Sequence, residues 1–358
     1  MNQQMKDIVR IGIVGSKFAA DFHCDSYSRN PFAKVVAVAA IDNLEQISSK
    51  WHIPDTYADY NEMFARKDID LVSVCVPNFL HRDVVIAAAK AGKHIVCEKP
   101  IATEPEHGRE MIDACNNAGV MLFYAEDWVF CPALRRVEAV LSEGAIGDVL
   151  YVKAKECHNG THSPFAKKKE TCGGGSLLHL GCHPVAWSLH LLSREGRNKV
   201  VEVLGVCNRG SEDNYVHKDN TGEDFGLGVM TFADGQRAFV EGNYITVGGM
   251  DDKVELYGTE GLIKVDLTHS SQVTVYSRPG YSYCIEKADH CIGWTRPAVD
   301  EFHGLGYVDE LRYVVDCVRR NEQPKYGLSG RLGLACLEII KAMYRSAETG
   351  QVVRGEWG

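Results

Sequence analysis

Along the first third of the chain, short apolar runs alternate with segments of helical period. Residues 8–14, 35–40, 71–76, 94–97 and 121–124 read as strands apolar on both faces. Helical stretches follow the first run to about residue 27, then span 81–91 and 105–118, the last with Pro105 in its first turn, where a missing N–H costs nothing. A strand that is apolar on both faces must be covered on both. Helices between successive strands do this when the strands run parallel. The pattern predicts an α/β fold with a doubly wound parallel sheet.

In such sheets ligands collect outside the carboxyl ends of the strands. The first strand runs into Gly15-Ser16-Lys17-Phe18-Ala19-Ala20, a strand–turn–helix in which Gly15 and Ala20 take the first and third positions of a glycine-rich dinucleotide turn. Lys17 stands where a second glycine would let backbone approach a pyrophosphate, a departure from the pattern. Another strand ends at Pro77-Asn78, with His81 opening the next helix. The fourth ends at Cys97-Glu98-Lys99-Pro100, where Pro100 stops an ordinary strand and a lysine can donate to a substrate hydroxyl. Asp42, just past the second strand, can reach an adenosine ribose or cap the following helix. No arginine follows that strand to hold a 2′-phosphate, which favours NAD over NADP. The expected cofactor set is Gly15, Ser16, Lys17, Phe18, Ala19, Asp42, Pro77, Asn78, His81, Glu98, Lys99 and Asp127.

With these motifs, the chain resembles the Gfo/Idh/MocA oxidoreductases. The likeness rests on Gly12-Ile13-Val14-Gly15, on Pro77-Asn78-Phe79-Leu80-His81, on Ala91-Gly92-Lys93-His94 leading into Glu98-Lys99-Pro100, and on Gly173-Gly174-Gly175 leading into Gly181-Cys182-His183. It implies a Rossmann domain, then an α+β domain with a large, mostly antiparallel open sheet on which such proteins often pair as homo-oligomers. It also implies hydride transfer between NAD(P) and a secondary hydroxyl of a sugar, glycoside or inositol. Gly248-Gly249-Met250-Asp251-Asp252, the 257–261 turn and the 280–288 segment with Gly293-Trp294 are similar to one branch, the glycoside 3-oxidases of C-glycoside deglycosylation.

By position, the resemblance carries a proton-handling role to Lys99 and His183. The family has an aspartate four residues before that histidine; here His179 stands there. A neutral imidazole orients a hydroxyl or accepts a proton, but supplies no fixed negative charge. A single helix over 176–192 would set His179 and His183 on one face. Trp128, Glu156, His158 and His162 are expected to line the substrate side with them. His179 and His183, with Glu156, His158, His162, Cys172 or Cys182 nearby in sequence, also have the donor types of a divalent-cation site. Such spacing is common by chance, and the reading adopted is that no metal is bound. Trp294 and the alternating Tyr281 and Tyr283 are further aromatic candidates for stacking on a sugar face, with burial in a core as the ordinary alternative.

From residue 200 to about 286 strands dominate: 201–206, 227–232, 238–244, 253–257, 262–267 and 272–276, closed by amphipathic helices over 307–320 and 331–347. Its 358 residues suggest two domains, placed at 1–128 and 129–358. A net charge of −9 argues against nucleic acid or an anionic membrane as partner. Thirteen cysteines without a CxxC pair, several inside apolar runs, suit free thiols in a reducing cytoplasm. Two rivals to a simple dehydrogenase remain. One is an enzyme that recycles tightly bound NAD in epimerisation or glycoside cleavage. The other is a non-catalytic nucleotide- or sugar-binding regulator.

Overall fold

The computed structural model describes residues 6–268, 273, 275–279, 292–295 and 299–358. It divides into two compact units, 1–130 with 306–334, and 131–305 with 335–358. The first unit is a six-stranded parallel sheet of β1 (Val9–Val14), β2 (Ala33–Ala39), β3 (Asp55–Tyr57), β4 (Leu71–Val74), β5 (His94–Cys97) and β6 (Leu122–Tyr124), in the order β3-β2-β1-β4-β5-β6. β1, β4 and β5 are neighbours, so their carboxyl ends form one edge of the sheet.

Residues 306–334 join this unit, although the sequence-based division put them in the second domain. The reason is the apolar stripe of helix Tyr307–Arg320. Leu311, Val314, Val315 and Val318 recur at helical spacing and pack into one buried core with Val9, Ile11, Ile13 and Tyr27. A stripe of this period is legible in sequence; the surface it covers is not.

The second unit is built on a seven-stranded sheet of β7 (Val149–Cys157), β8 (Val200–Cys207), β9 (Phe225–Phe232), β10 (Arg237–Asn243), β11 (Lys253–Gly258), β12 (Leu262–Asp266) and, beyond the short β13 (Val275–Ser277) and β14 (Gly293–Thr295) pair, β15 (Val353–Trp357). The order is β12-β11-β7-β10-β9-β8-β15, antiparallel except for β7 and β10. Alternate residues such as Val152, Ala154, Met230, Ala238, Val240, Val254 and Leu256 are buried. On the other face Tyr151 stacks on Tyr257 at 4.5 Å and meets the edge of Phe239 at 5.7 Å.

The helix expected over 176–192 is instead two helices, Ser176–His179 and Cys182–Leu192. The break lies at Leu180-Gly181, where β10 passes close. A Cβ on Gly242 would lie 2.5 Å from the Gly181 nitrogen, and one on Gly181 would lie 2.4 Å from the Leu177 carbonyl oxygen. His179 and His183 therefore do not share the face of one continuous helix. Tyr281, Tyr283 and the rest of the 280–288 segment lie outside the described residues.

Candidate active site

In the first unit the β1 turn is built for a close approach. Gly15 has φ +122°, and a Cβ there would fall 2.2 Å from the Cys75 carbonyl oxygen. Glycine is thus demanded by the fold itself, whatever binds the turn. Lys17 is turned to Asp42: its ammonium lies 2.9 Å from the Asp42 carboxylate, which also accepts from the Ser16 hydroxyl at 2.9 Å. Lys17, then Ser16, holds the Asp42 carboxyl below its ordinary range. The lysine that departs from the glycine pattern is thereby tied to the acid expected at the ribose. Phe18 is exposed and packs on Phe22 at 4.3 Å.

The turn after β4 carries the buried Asn78 and His81. The His81 ring lies against main-chain carbonyls, Nδ1 at 3.0 Å from Pro100 and Nε2 at 2.9 Å from Val76. Burial pushes this imidazole below its ordinary pKa. These contacts tie the end of β4 to the segment after β5. There Glu98 is buried, with Oε1 3.0 Å from His23 Nε2 and Oε2 accepting the Lys99 N–H at 3.1 Å. Burial opposes charge on Glu98, but the contact with His23 outweighs it and holds the carboxyl below its ordinary value. Lys99 is half-buried, and its peptide bond to Pro100 is cis. Asp127 and Trp128 are buried in a single turn over Asp127–Val129.

Two members of this edge escape sequence reasoning. His23 is fully buried in helix Phe18–Ser28, and Glu310 is fully buried in helix Tyr307–Arg320. Burial, then repulsion from Asp127 and Glu98, pushes the Glu310 carboxyl well above its ordinary value. Nothing in the order of the residues pairs position 23 with 98 or brings 310 to either.

In the second unit Glu156, His158 and His183 are buried together. Glu156 Oε1 lies 3.2 Å from His158 Nε2, and Glu156 Oε2 lies 3.6 Å from His183 Nε2. Asp252 completes the group, with Oδ1 3.8 Å from His158 Nε2. Burial raises the Asp252 carboxyl above its ordinary value despite the His158 ring. Asp252 belongs to a run legible in sequence only as a family pattern, and its place here comes from the pairing of β11 with β7. His179 turns elsewhere: its Nδ1 is 2.6 Å from the hydroxyl of the buried Tyr244. His162 is exposed.

Comparison with known proteins agrees with this layout. Residues 9–126 match the model of an oxidoreductase family with an NAD-binding Rossmann fold, and residues 134–264 match the Gfo/Idh/MocA C-terminal domain. The chain belongs to the Gfo/Idh/MocA family. Its first unit is an NAD-binding Rossmann domain, and the protein is an oxidoreductase. It is similar to trans-1,2-dihydrobenzene-1,2-diol dehydrogenase of Xenopus tropicalis, 30% identical over 234 residues, 65% of this chain and 67% of the relative. Levoglucosan dehydrogenase of Pseudarthrobacter phenanthrenivorans is 25% identical over 346 residues, 84% and 85% of the two chains. The solved structure of GenD2 from gentamicin A biosynthesis, in complex with NAD, shares the fold with a TM-score of 0.88 at 24% identity, covering 99% and 98%. Among the described residues no helix is long and apolar enough to cross a membrane.

Proposed function

We propose that this protein is an NAD-dependent dehydrogenase of a cyclic polyol, a sugar, glycoside or inositol, acting on one secondary hydroxyl. The observation that carries the reading is a polar, buried group around His183 in a chain whose Rossmann unit presents Lys99 at a strand end. NAD, when bound, supplies the hydride acceptor. Gly15, Ser16, Lys17, Phe18, Ala19 and Asp42 would hold its adenosine and pyrophosphate side, and Pro77, Asn78, His81, Glu98, Lys99 and Asp127 would complete the cofactor set. The bare approach at Gly15 and the carboxylate at Asp42 fit that group. Lys99 would donate to the reacting oxygen and favour its alkoxide. His183 would take the hydroxyl proton during oxidation and return it in reduction. Glu156, 3.6 Å away, supplies a carboxylate beside His183 in place of the acid absent at residue 179. His179, held by Tyr244, would orient the substrate, with Trp128, Glu156, His158 and His162 lining it.

The similarity to levoglucosan dehydrogenase supports a carbohydrate substrate, and the branch pattern supports a glycoside. We further infer a homo-oligomer paired through the Tyr151, Phe239 and Tyr257 face. A cytoplasmic location would suit the eleven free thiols among the described residues.

The test is to identify the nucleotide released on denaturation, then follow reduced-nicotinamide absorbance with free sugars, inositols and O- and C-glycosides. Growth with one class is expected. Bound NAD with no net absorbance change but altered products would mean internal recycling, and no nucleotide binding at all would sink the reading. The ribose assignment has its own check. Asp42→Ala is expected to weaken NAD by about tenfold, the size of one or two lost hydrogen bonds, and to narrow the preference over NADP. Unchanged NAD affinity in a titration would remove Asp42 from the site.

A further inference from the structure

Glu156, His158 and Asp252 bring two carboxylates and one imidazole together in a buried cluster. We propose that these three side chains form a site for one divalent transition-metal cation, of the Zn²⁺, Mn²⁺ or Co²⁺ class.

The site is made by strand pairing. β7 and β11 run antiparallel with Lys155 opposite Lys253, so the next residue along β7, Glu156, stands opposite the residue preceding β11, Asp252. His158 lies two residues beyond Glu156 and one past the end of β7, where its N–H still bonds the Asn243 carbonyl of β10, so the extended chain returns it to the same face. Each donor is at least nine-tenths buried, with exposures of 5%, 1% and 2%. One oxygen or nitrogen from each lies within 4.8 Å of those of the other two.

The separations suit coordination. Metal–ligand bonds of about 2.0–2.2 Å in a tetrahedral shell put neighbouring ligand atoms roughly 3.3–3.6 Å apart. Glu156 Oε1 to His158 Nε2 is 3.2 Å, and His158 Nε2 to Asp252 Oδ1 is 3.8 Å. Two carboxylates and an imidazole are the mixed oxygen and nitrogen set that these cations accept. Charge points the same way. Two buried carboxylates that share one imidazole repel each other, and removing an ion from water costs several kcal/mol. A cation at their centre offsets both effects.

The surroundings hold the donors in place. Asp252 Oδ1 accepts the Cys157 N–H at 3.0 Å, and the Asp252 N–H donates to the Thr268 hydroxyl at 2.7 Å. The His158 N–H donates to the Asn243 carbonyl at 2.9 Å, and the His158 carbonyl accepts from Thr246 at 3.0 Å. Support of ligands by backbone hydrogen bonds is what a metal site needs from its surroundings. Three protein ligands leave open positions. On the polyol reading above, those positions would take hydroxyl oxygens of the substrate beside His183. The site itself does not depend on that reading.

The experiment measures metal directly and needs no activity. Untagged protein, purified without chelator, is analysed for metal by mass spectrometry, then stripped and titrated with Co²⁺, with Zn²⁺ in competition. Wild type is expected to bind about one equivalent, with the visible absorption of Co²⁺ in a low-symmetry site. Glu156→Gln and Asp252→Asn should each weaken binding by about a hundredfold or more, while His162→Ala, at an exposed histidine, leaves it unchanged. If neither Co²⁺, Zn²⁺ nor Mn²⁺ binds wild type below about millimolar, the proposal fails and the three side chains form a hydrogen-bonded network only. Binding that survives both carboxylate variants overturns it as well. The wild-type spectrum decides even if a variant does not fold. Dehydrogenase activity without metal binding would retain the proposed function and discard the site.

Discussion

Replacing Lys99 with methionine is expected to lower kcat by about a thousandfold while NAD binding stays within about threefold of wild type. General acid–base assistance at a reacting hydroxyl is worth roughly 10²–10⁴ in rate, and methionine keeps most of the stem while removing the charged donor. The backbone should not move. The Lys99 N–H is held by Glu98, Glu98 by His23, and the Pro100 carbonyl by His81, and none of these contacts uses the lysine ammonium. The variant is compared with wild type by steady-state kinetics on the substrate found in the panel and by calorimetric titration of NAD. Loss of turnover with NAD retained assigns Lys99 to the reacting oxygen. A loss of less than about tenfold would remove it from the chemistry, and loss of NAD binding would make it a cofactor ligand alone.

The second large effect concerns stability. Exchanging His23 for leucine keeps the volume of the site but leaves Glu98 buried without its partner, and breaking a buried pair of this kind costs about 3–5 kcal/mol. The sign with pH follows from Glu98. In wild type its folded pKa is depressed, so its contribution is present above the unfolded value and is lost as pH falls through the folded one. In the variant the lowering by His23 is gone, and burial, the largest influence on Glu98, is opposed only by the Lys99 N–H and ammonium; the folded pKa therefore moves upward, and the stability that the carboxylate adds at high pH is lost. The gap between the two proteins should therefore be wide at pH 8 and narrow toward pH 4. Denaturant unfolding at several pH values measures it. A gap independent of pH would mean that packing, not the pairing of Glu98, sets the cost.

Much of the first unit was legible from residue order. The runs at 8–14, 35–40, 71–76, 94–97 and 121–124 fall on β1, β2, β4, β5 and β6, because a strand covered on both faces has no polar alternation to hide it. The helix over Pro105–Ala118 was marked at its start by proline, and Gly119 in the left-handed region ends it. The short β3 and the edge strand β15 had no comparable signal. The helix expected over 176–192 shows the limit of periodicity. Its apolar pattern runs through Leu180-Gly181 without interruption, yet the backbone breaks there because β10 needs the space beside two glycines.

Residue order by itself determined the parallel sheet, the glycine turn at Gly15, and the placing of Glu98-Lys99-Pro100 at a strand end. These follow from local pattern and from the direction of short connections. Only tertiary structure decided that Lys17 turns to Asp42, that His23 and Glu310 lie with Glu98, and that Asp252 joins Glu156 and His158. Each of these is a meeting of residues far apart in the chain, from 25 positions for Lys17 and Asp42 to 212 for Glu98 and Glu310, and is set by strand register or by the face a helix buries. Side-chain period names the face a residue is on; the partner on that face is chosen by packing of the whole chain.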